Sequence, residues 1–163
     1  MQGGKKLKRC PYCGFYPPAI YTYRLDDFCV STLLKIWQHI IEQGTNQFRF
    51  KDLNLNHTEN SRRTQLRFHA LIAKVKNEKG RQIPDTWLLT ERGTNFLHGR
   101  KVVPKYVLTQ ANKVIGHAKE YVSRQDFKVM RDFRTTFEIK NSKVIQIEQT
   151  QNQLFNTNFL YRS

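Results

Sequence analysis

Acidic residues are scarce in this sequence. Its 163 residues hold 13 Asp and Glu against 28 Lys and Arg, a formal net charge of +15 at pH 7. A two-metal phosphoryl-transfer centre needs several carboxylates gathered around its ions. The one adjacent acidic pair, Asp26-Asp27, reads better as the start of a helix. The phosphate loops GxxxxGK[ST] and GxGxxG are missing, as are HExxH and GxSxG. No enzyme is expected.

Cysteine is also sparse. Three cysteines are an odd number in a chain of this length, which argues against a disulfide framework. No apolar run approaches the roughly 18 residues of a membrane helix. The opening MQGGKKLKRC is basic but has no apolar stretch, unlike a secretory signal. These absences predict a cytoplasmic protein.

Basic residues are present throughout. Residues 1–24 carry five Lys/Arg and no acid, residues 25–100 carry twelve against eight, and residues 101–163 carry eleven against five. A surplus spread this widely suggests a polyanionic partner more than one small anionic pocket. Nucleic acid is the first candidate. A membrane surface is not expected, because no long basic amphipathic helix with an aromatic face is evident.

The densest signal runs from Thr58 to Gly93. Arg62, Arg63, Gln65 and Arg67 sit in a polar helical segment. The run Ile72–Lys76 follows, broken at Asn77-Glu78-Lys79-Gly80, and Trp87-Leu88-Leu89 follows that. A helix and then a two-stranded ribbon with a Gly-containing turn is the outline of a winged helix-turn-helix. Between Arg62 and Arg81 seven Lys/Arg face the single acid Glu78. They lie on the two elements that would touch a duplex. The nucleic-acid-binding candidates are therefore Arg62, Arg63, Gln65 and Arg67 on the helix, and Lys74, Lys76, Lys79 and Arg81 on the ribbon. The competing reading is a solvated basic face, although ordinary solvated surfaces mix both signs.

Around this stretch, Leu25–Gly44 predicts a helix with Asp26 as N-cap, Gly44 as its stop and an apolar face from Val30 to Ile41. Phe48-Arg49-Phe50 reads as a short strand and Lys51-Asp52-Leu53 as a short helix. Asn56 to Glu59 has the capping-box pattern that would start the third helix. That helix would end near Ala70, with Leu66, Phe68, Ala70 and Leu71 turned inward. Ile72–Lys76 and Thr86–Leu89 would pair, and Thr90 to Leu97 would form a fourth, short helix. Beyond Pro104 the short β-like runs 106–108 and 114–115 flank Ala111-Asn112-Lys113. Residues 136–140 and 143–147 have hairpin composition. Residues 149–158 read as a flexible Gln/Asn/Thr-rich tail.

Cys10-Pro11-Tyr12-Cys13-Gly14 has the spacing of half a zinc knuckle. Zinc is the one cofactor expected, with Cys10, Cys13 and Cys29 as ligands. The fourth ligand would come from His57, His69, His98, His117 or a second chain. His39 would lie too far along the helix of Cys29 to share an ion with it. Free thiols at the knuckle, and Cys29 packed as a small apolar residue, are the alternatives.

The fold class expected is α+β, in three segments. Residues 1–24 are a basic leader with the knuckle, residues 25–100 a winged-helix core, and residues 101–163 an extension with short strands. At CPYCG, YTYRLDD, SRRTQLRFHALIAKVK and TWLLTERGTNFLHGRKVVPK the chain resembles small phage and prophage proteins. Those carry an N-terminal CxxC, a winged-helix-like core and an LTxxGxxFL segment. The resemblance spans roughly residues 10–116. It implies a viral or mobile-element origin, a site of action in the host cytoplasm and a role linked to nucleic acid. Two functions follow as expectations. One is a module that binds double-stranded DNA, a phage regulator of transcription. The other is an inhibitor of a host nucleic-acid machine, a CRISPR effector or RNA polymerase, whose partner is a host protein or ribonucleoprotein complex. The C-terminal extension and the aromatics Phe155, Phe159 and Tyr161 favour the second.

Overall fold

A computed structural model describes residues 9, 11–14, 18–131, 133, 137–140 and 143–146. The architecture is mixed α+β: helices and small antiparallel sheets share one buried cluster.

Helix α1 (Asp27–Gln43) is the element on which that cluster is built. Asp26 caps it through its carboxylate, which accepts from Cys29 N at 2.9 Å. The helix stops at Gly44, whose φ of 74° is the left-handed turn that glycine adopts without a Cβ penalty. Cys29, Val30, Leu33, Ile36, Trp37 and Ile40 fall on one face and are buried. Fully burying an aliphatic side chain of this size contributes about 1.5–3 kcal/mol.

Strand β1 (Ile20–Arg24) precedes α1, and β2 (Gln47–Phe48) follows it. The expected strand at 48–50 ends at Phe48, and Phe50 opens a 3-10 turn through Asp52. Helix α2 (His57–Phe68) starts at the predicted capping box: Asn56 Oδ1 accepts from Glu59 N, and Glu59 Oε1 accepts from Asn56 N. It ends at His69. Ala70, expected inward, is exposed with a φ of 60°. Leu71 N donates to Leu66 O at 3.0 Å and Ala70 N to Arg67 O at 2.9 Å. That closure needs a left-handed residue at position 70, and its Cβ then faces solvent.

Strands β3 (Ile72–Lys76) and β4 (Gln82–Leu89) pair antiparallel, Ile72 with Leu89 and Lys74 with Trp87, as the sequence predicted for 72–76 and 86–89. With β2 on the other side of β4, the sheet order is β2-β4-β3. Helix α3 (Glu91–Leu97) follows, capped by Thr90. Gly93 is required there because a Cβ would stand 2.3 Å from Leu71 O.

Strands β5 (Val103–Pro104), β6 (Tyr106–Gln110), β7 (Lys113–His117) and β8 (Tyr121–Val122) come next. Ala111 and Asn112 both have positive φ, 52° and 63°, the two-residue turn that suits a twisted hairpin. Strand β6 pairs with β7 and also with β1, so residues on both sides of the expected core complete one sheet, β1-β6-β7. No strand was expected at Ile20–Arg24, although IYTYR has the β-branched and aromatic composition of one. Two 3-10 turns, Arg124–Asp126 and Lys128–Met130, put Phe127 and Met130 into the cluster with α1. Strand β1 of the expected first segment is thus paired with β6 of the expected extension, and Val103, Val122, Phe127 and Met130 of that extension share the interior of the core. Strands β9 (Phe137–Lys140) and β10 (Lys143–Gln146) pair as the composition predicted. The predicted tail at 149–158, with Phe155, Phe159 and Tyr161, lies outside the described residues. No described helix is long and apolar enough to cross a membrane.

Candidate nucleic-acid interface

The inner face of α2 carries polar groups beside Leu66 and Phe68, most of them hydrogen-bonded. Glu59 is 1% exposed. Its carboxylate accepts from Lys35 Nζ at 2.6 Å, from Ser31 Oγ and from Asn56 N at 3.0 Å. Burial alone would raise its pKa. The bonds from Lys35, Ser31 and Asn56 outweigh burial and hold it below the usual carboxylate range. One turn on, Arg62 Nε donates to Asp26 Oδ2 at 2.9 Å. Gln65 is 4% exposed, and its Oε1 accepts from Cys29 Sγ at 3.5 Å. His69 is 2% exposed, with Nδ1 2.9 Å from Gln65 O. Burial lowers its pKa, so the ring is held neutral.

These contacts correct two sequence expectations. Gln65 is not an outward reader of bases, since its side chain is committed to the α1–α2 contact. Arg62 is only half-exposed and neutralises the cap of α1. Hydropathy places polar residues outside, yet positions 59, 62, 65 and 69 recur at helical spacing on the side that meets α1.

The outward row of α2 is Asn60, Arg63, Thr64 and Arg67. Asn60 and Thr64 are exposed and were not among the expected residues, although their i, i+3 and i+4 spacing to Arg63 and Arg67 marks the same face. The two guanidiniums lie over aromatic rings, the Arg63 Cζ 4.9 Å from the Phe50 centroid and the Arg67 Cζ 4.9 Å from that of Phe68. Phe68 stacks on Tyr23 at 5.2 Å, and Tyr23 on Tyr21 at 6.4 Å. Cation–π contacts of this kind preset a long side chain without neutralising it.

Across from α2, Lys74 rests over Trp87, its Nζ 5.5 Å from the ring centroid. Lys76, Lys79 and Arg81 are exposed around the ribbon tip. The tip is held by Asn77, whose Oδ1 accepts from Lys79 N at 2.9 Å and from Arg81 N at 3.0 Å. Gly80, with a φ of 79°, closes it through Gly80 N to Asn77 O at 2.9 Å. Of the six remaining expected cations, Lys76, Lys79 and Arg81 are exposed, and Arg63, Arg67 and Lys74 are half-buried over aromatic rings.

Cys13 is exposed and Cys29 is buried, while Cys10 lies outside the described residues. Cys29 is 0% exposed, and burial raises its thiol to about 12 despite the opposing bond from the Asp26 backbone. In this structure Cys29 packs in the core as a small side chain, its Sγ donating to Gln65 Oε1 at 3.5 Å. Of the histidines proposed as fourth ligand, His69 is buried against α2 and His98 lies edge-on to Trp37 at 5.3 Å. His57 and His117 are exposed, and His117 Nδ1 lies 2.9 Å from Ala118 O. Among the described residues no group of three or more His, Cys, Asp or Glu is arranged to hold a metal ion.

No protein-family model matches this chain, and neither the curated proteins nor the solved structures give a match.

Proposed function

We propose that the chain is a winged-helix protein that binds nucleic acid, double-stranded DNA in the first place, through α2 and the β3–β4 ribbon. One observation carries the reading. Arg63 and Arg67 project from one face of a capped helix, and Lys76, Lys79 and Arg81 project from the ribbon that follows it. The order of α1, β2, a short 3-10 turn, α2, β3 and β4, with β4 central in its sheet, supports the winged-helix assignment. In such a protein the helix enters the major groove and the ribbon lies along the backbone. Arg63 and Arg67 would reach base edges or flanking phosphates, with the ribbon cations on phosphates. The proposal extends, on the resemblance to phage proteins, to a viral regulator that would act in the host cytoplasm without catalysis. A zinc ion would belong to Cys10 and Cys13, with further ligands from the exposed His57 or His117 or from a second chain.

The test is a salt titration against duplex DNA. With about five phosphates neutralised, log K against log salt should slope near −4.5, about −0.9 per phosphate. A flat response removes the proposal. A second reading, inhibition of a host nucleic-acid machine by protein contact, is favoured by the hairpin β6–β7. Strand β7 lies at the edge of its described sheet, with Val114 and Ile115 exposed. Capture of such a complex after nuclease treatment, without duplex binding, supports it.

A further inference from the structure

The ribbon does not pair continuously. Between the pairs Lys74–Trp87 and Lys76–Gln82, the single residue Val75 faces four residues of β4, Ile83 to Thr86. Asp85 takes a φ of 51° within this bulge, and Thr86 Oγ1 donates to Pro84 O at 3.0 Å. The looped-out backbone stands off from α2 and leaves a cleft of about 510 Å³. Its walls include Phe50, Arg63, Lys74, Asp85 and Trp87. The Phe50 and Trp87 rings meet edge to face, 5.4 Å between centroids. Each carries a cation on its face, Arg63 over Phe50 and Lys74 over Trp87. Among the described residues neither cation forms an ion pair.

A cleft of this size is in the range of small-ligand sites, about 300–1,000 Å³. Its chemistry is more specific than its size. A half-buried Trp offers a π-face for stacking, as single-strand binders do. Asp85 offers only acceptors, which suit the amino edge of a base. The two cations suit a phosphate. The Lys74 ammonium sits on a flexible stem, so it can leave the ring as a base arrives and meet the phosphate attached to that base. A base inside an intact duplex is stacked on both faces and cannot enter.

We infer that the cleft between α2 and the bulge of β4 receives one unpaired nucleotide, its base stacked on Trp87 and its phosphate held by Arg63 and Lys74. This rests on the nucleic-acid reading of the same face and deepens it. The protein's target is then a duplex with an unpaired nucleotide beside it: an overhang, a bulged base or a junction.

The experiment compares the full chain on a blunt DNA duplex and on the same duplex with a three-nucleotide cytidine overhang, deoxy or ribo, at one salt concentration. Either overhang should tighten binding by about five-fold or more, the lower end for one stacked base. Trp87→Phe should keep the gain. Trp87→Leu, which keeps apolar bulk without a π-face, should lose it, read as the ratio of overhang to blunt-duplex affinity of the same variant, with matched melting curves as the control for folding. An overhang that adds nothing to the wild type overturns the inference, and so does a Leu variant that keeps the gain. Blunt-duplex binding without an overhang gain leaves the duplex reading standing and removes the cleft. Overhang binding without blunt-duplex binding does the reverse, and absence of both removes both.

Discussion

Arg62 and Asp26 meet at 2.9 Å across the α1–α2 contact, and the same Asp26 carboxylate caps α1 through Cys29 N. One guanidinium thus neutralises the cap of the helix that carries the core. Arg63, its neighbour in sequence, lies over Phe50 and has no such partner among the described residues.

The two arginines should therefore separate by assay. Arg62→Ala should cost about 1–3 kcal/mol of stability, the range for hydrogen bonds to charged groups. Its effect on the salt slope of duplex binding should be small. Arg63→Ala and Arg67→Ala should leave the denaturation midpoint within about 0.5 kcal/mol of wild type and weaken duplex binding. Chemical denaturation and a fluorescence-anisotropy salt series on the same preparations read both quantities.

The ribbon tip tests the phosphate contacts separately. Lys79→Ala and Arg81→Ala should each flatten the slope of log K against log salt by about 0.9. They should weaken all duplex sequences alike, because a phosphate contact carries no sequence information. A loss confined to one sequence would mean that these side chains reach base edges.

Much of the fold is legible in the sequence because its signals are local. Asp26 and Gly44 bound α1, Asn56 and Glu59 start α2, and Thr90 starts α3. Each is a cap whose chemistry is complete within four residues. What escapes is set by partners distant in sequence. Gln65 reads as a surface residue until Cys29, 36 positions earlier, supplies its donor. Strand β1 needs β6, more than 80 positions later, to become a strand. The bulge of β4 is hinted at by Pro84-Asp85, but its width follows from register, which local propensity does not encode.

Ala70 marks a position where the sequence is not at its stability optimum. It holds a φ of 60° at the close of α2 with its side chain exposed. Ala70→Gly should raise stability by roughly 0.5–1 kcal/mol, the left-handed penalty for Ala less the added freedom of Gly in the unfolded chain. Gly93→Ala should act in the opposite sense by about 1–3 kcal/mol, since its Cβ would meet Leu71 O at 2.3 Å and Leu89 Cδ1 at 2.8 Å. Thermal melting of the two variants should bracket the wild type.

Metal analysis separates the cysteines. If the protein is isolated with zinc, Cys10→Ser or Cys13→Ser should release it. Cys29→Ala should not, because that thiol lies in the core against Gln65. Cys29→Ala should instead lower stability by about 1 kcal/mol, through lost packing and an unpartnered Gln65 Oε1. Loss of zinc from the Cys29 variant alone would return Cys29 to the ligand set.

Two buried groups on the inner face of α2 should each add a pH dependence to stability. His69 is held neutral by burial, so its pKa in the folded chain lies below the ordinary value of about 6.5. The unfolded chain takes up that proton first, and stability falls as pH drops below about 6.5 and on through the depressed value. Glu59 is held charged by Lys35, Ser31 and Asn56 against its burial, so its pKa also lies below the ordinary range. Its contribution is fully present above the usual carboxylate pKa of about 4.3 and is lost as pH falls through the lower folded value. Urea midpoints between pH 8 and pH 3 should therefore decline in two stages. His69→Leu should flatten the upper stage and leave the lower one. Glu59→Gln should flatten the lower stage and cost about 1–3 kcal/mol at pH 7, where the bonds from Lys35 and Ser31 lose their charged acceptor. If the upper stage survives in His69→Leu, the His69 ring is not the group that gains the proton on unfolding.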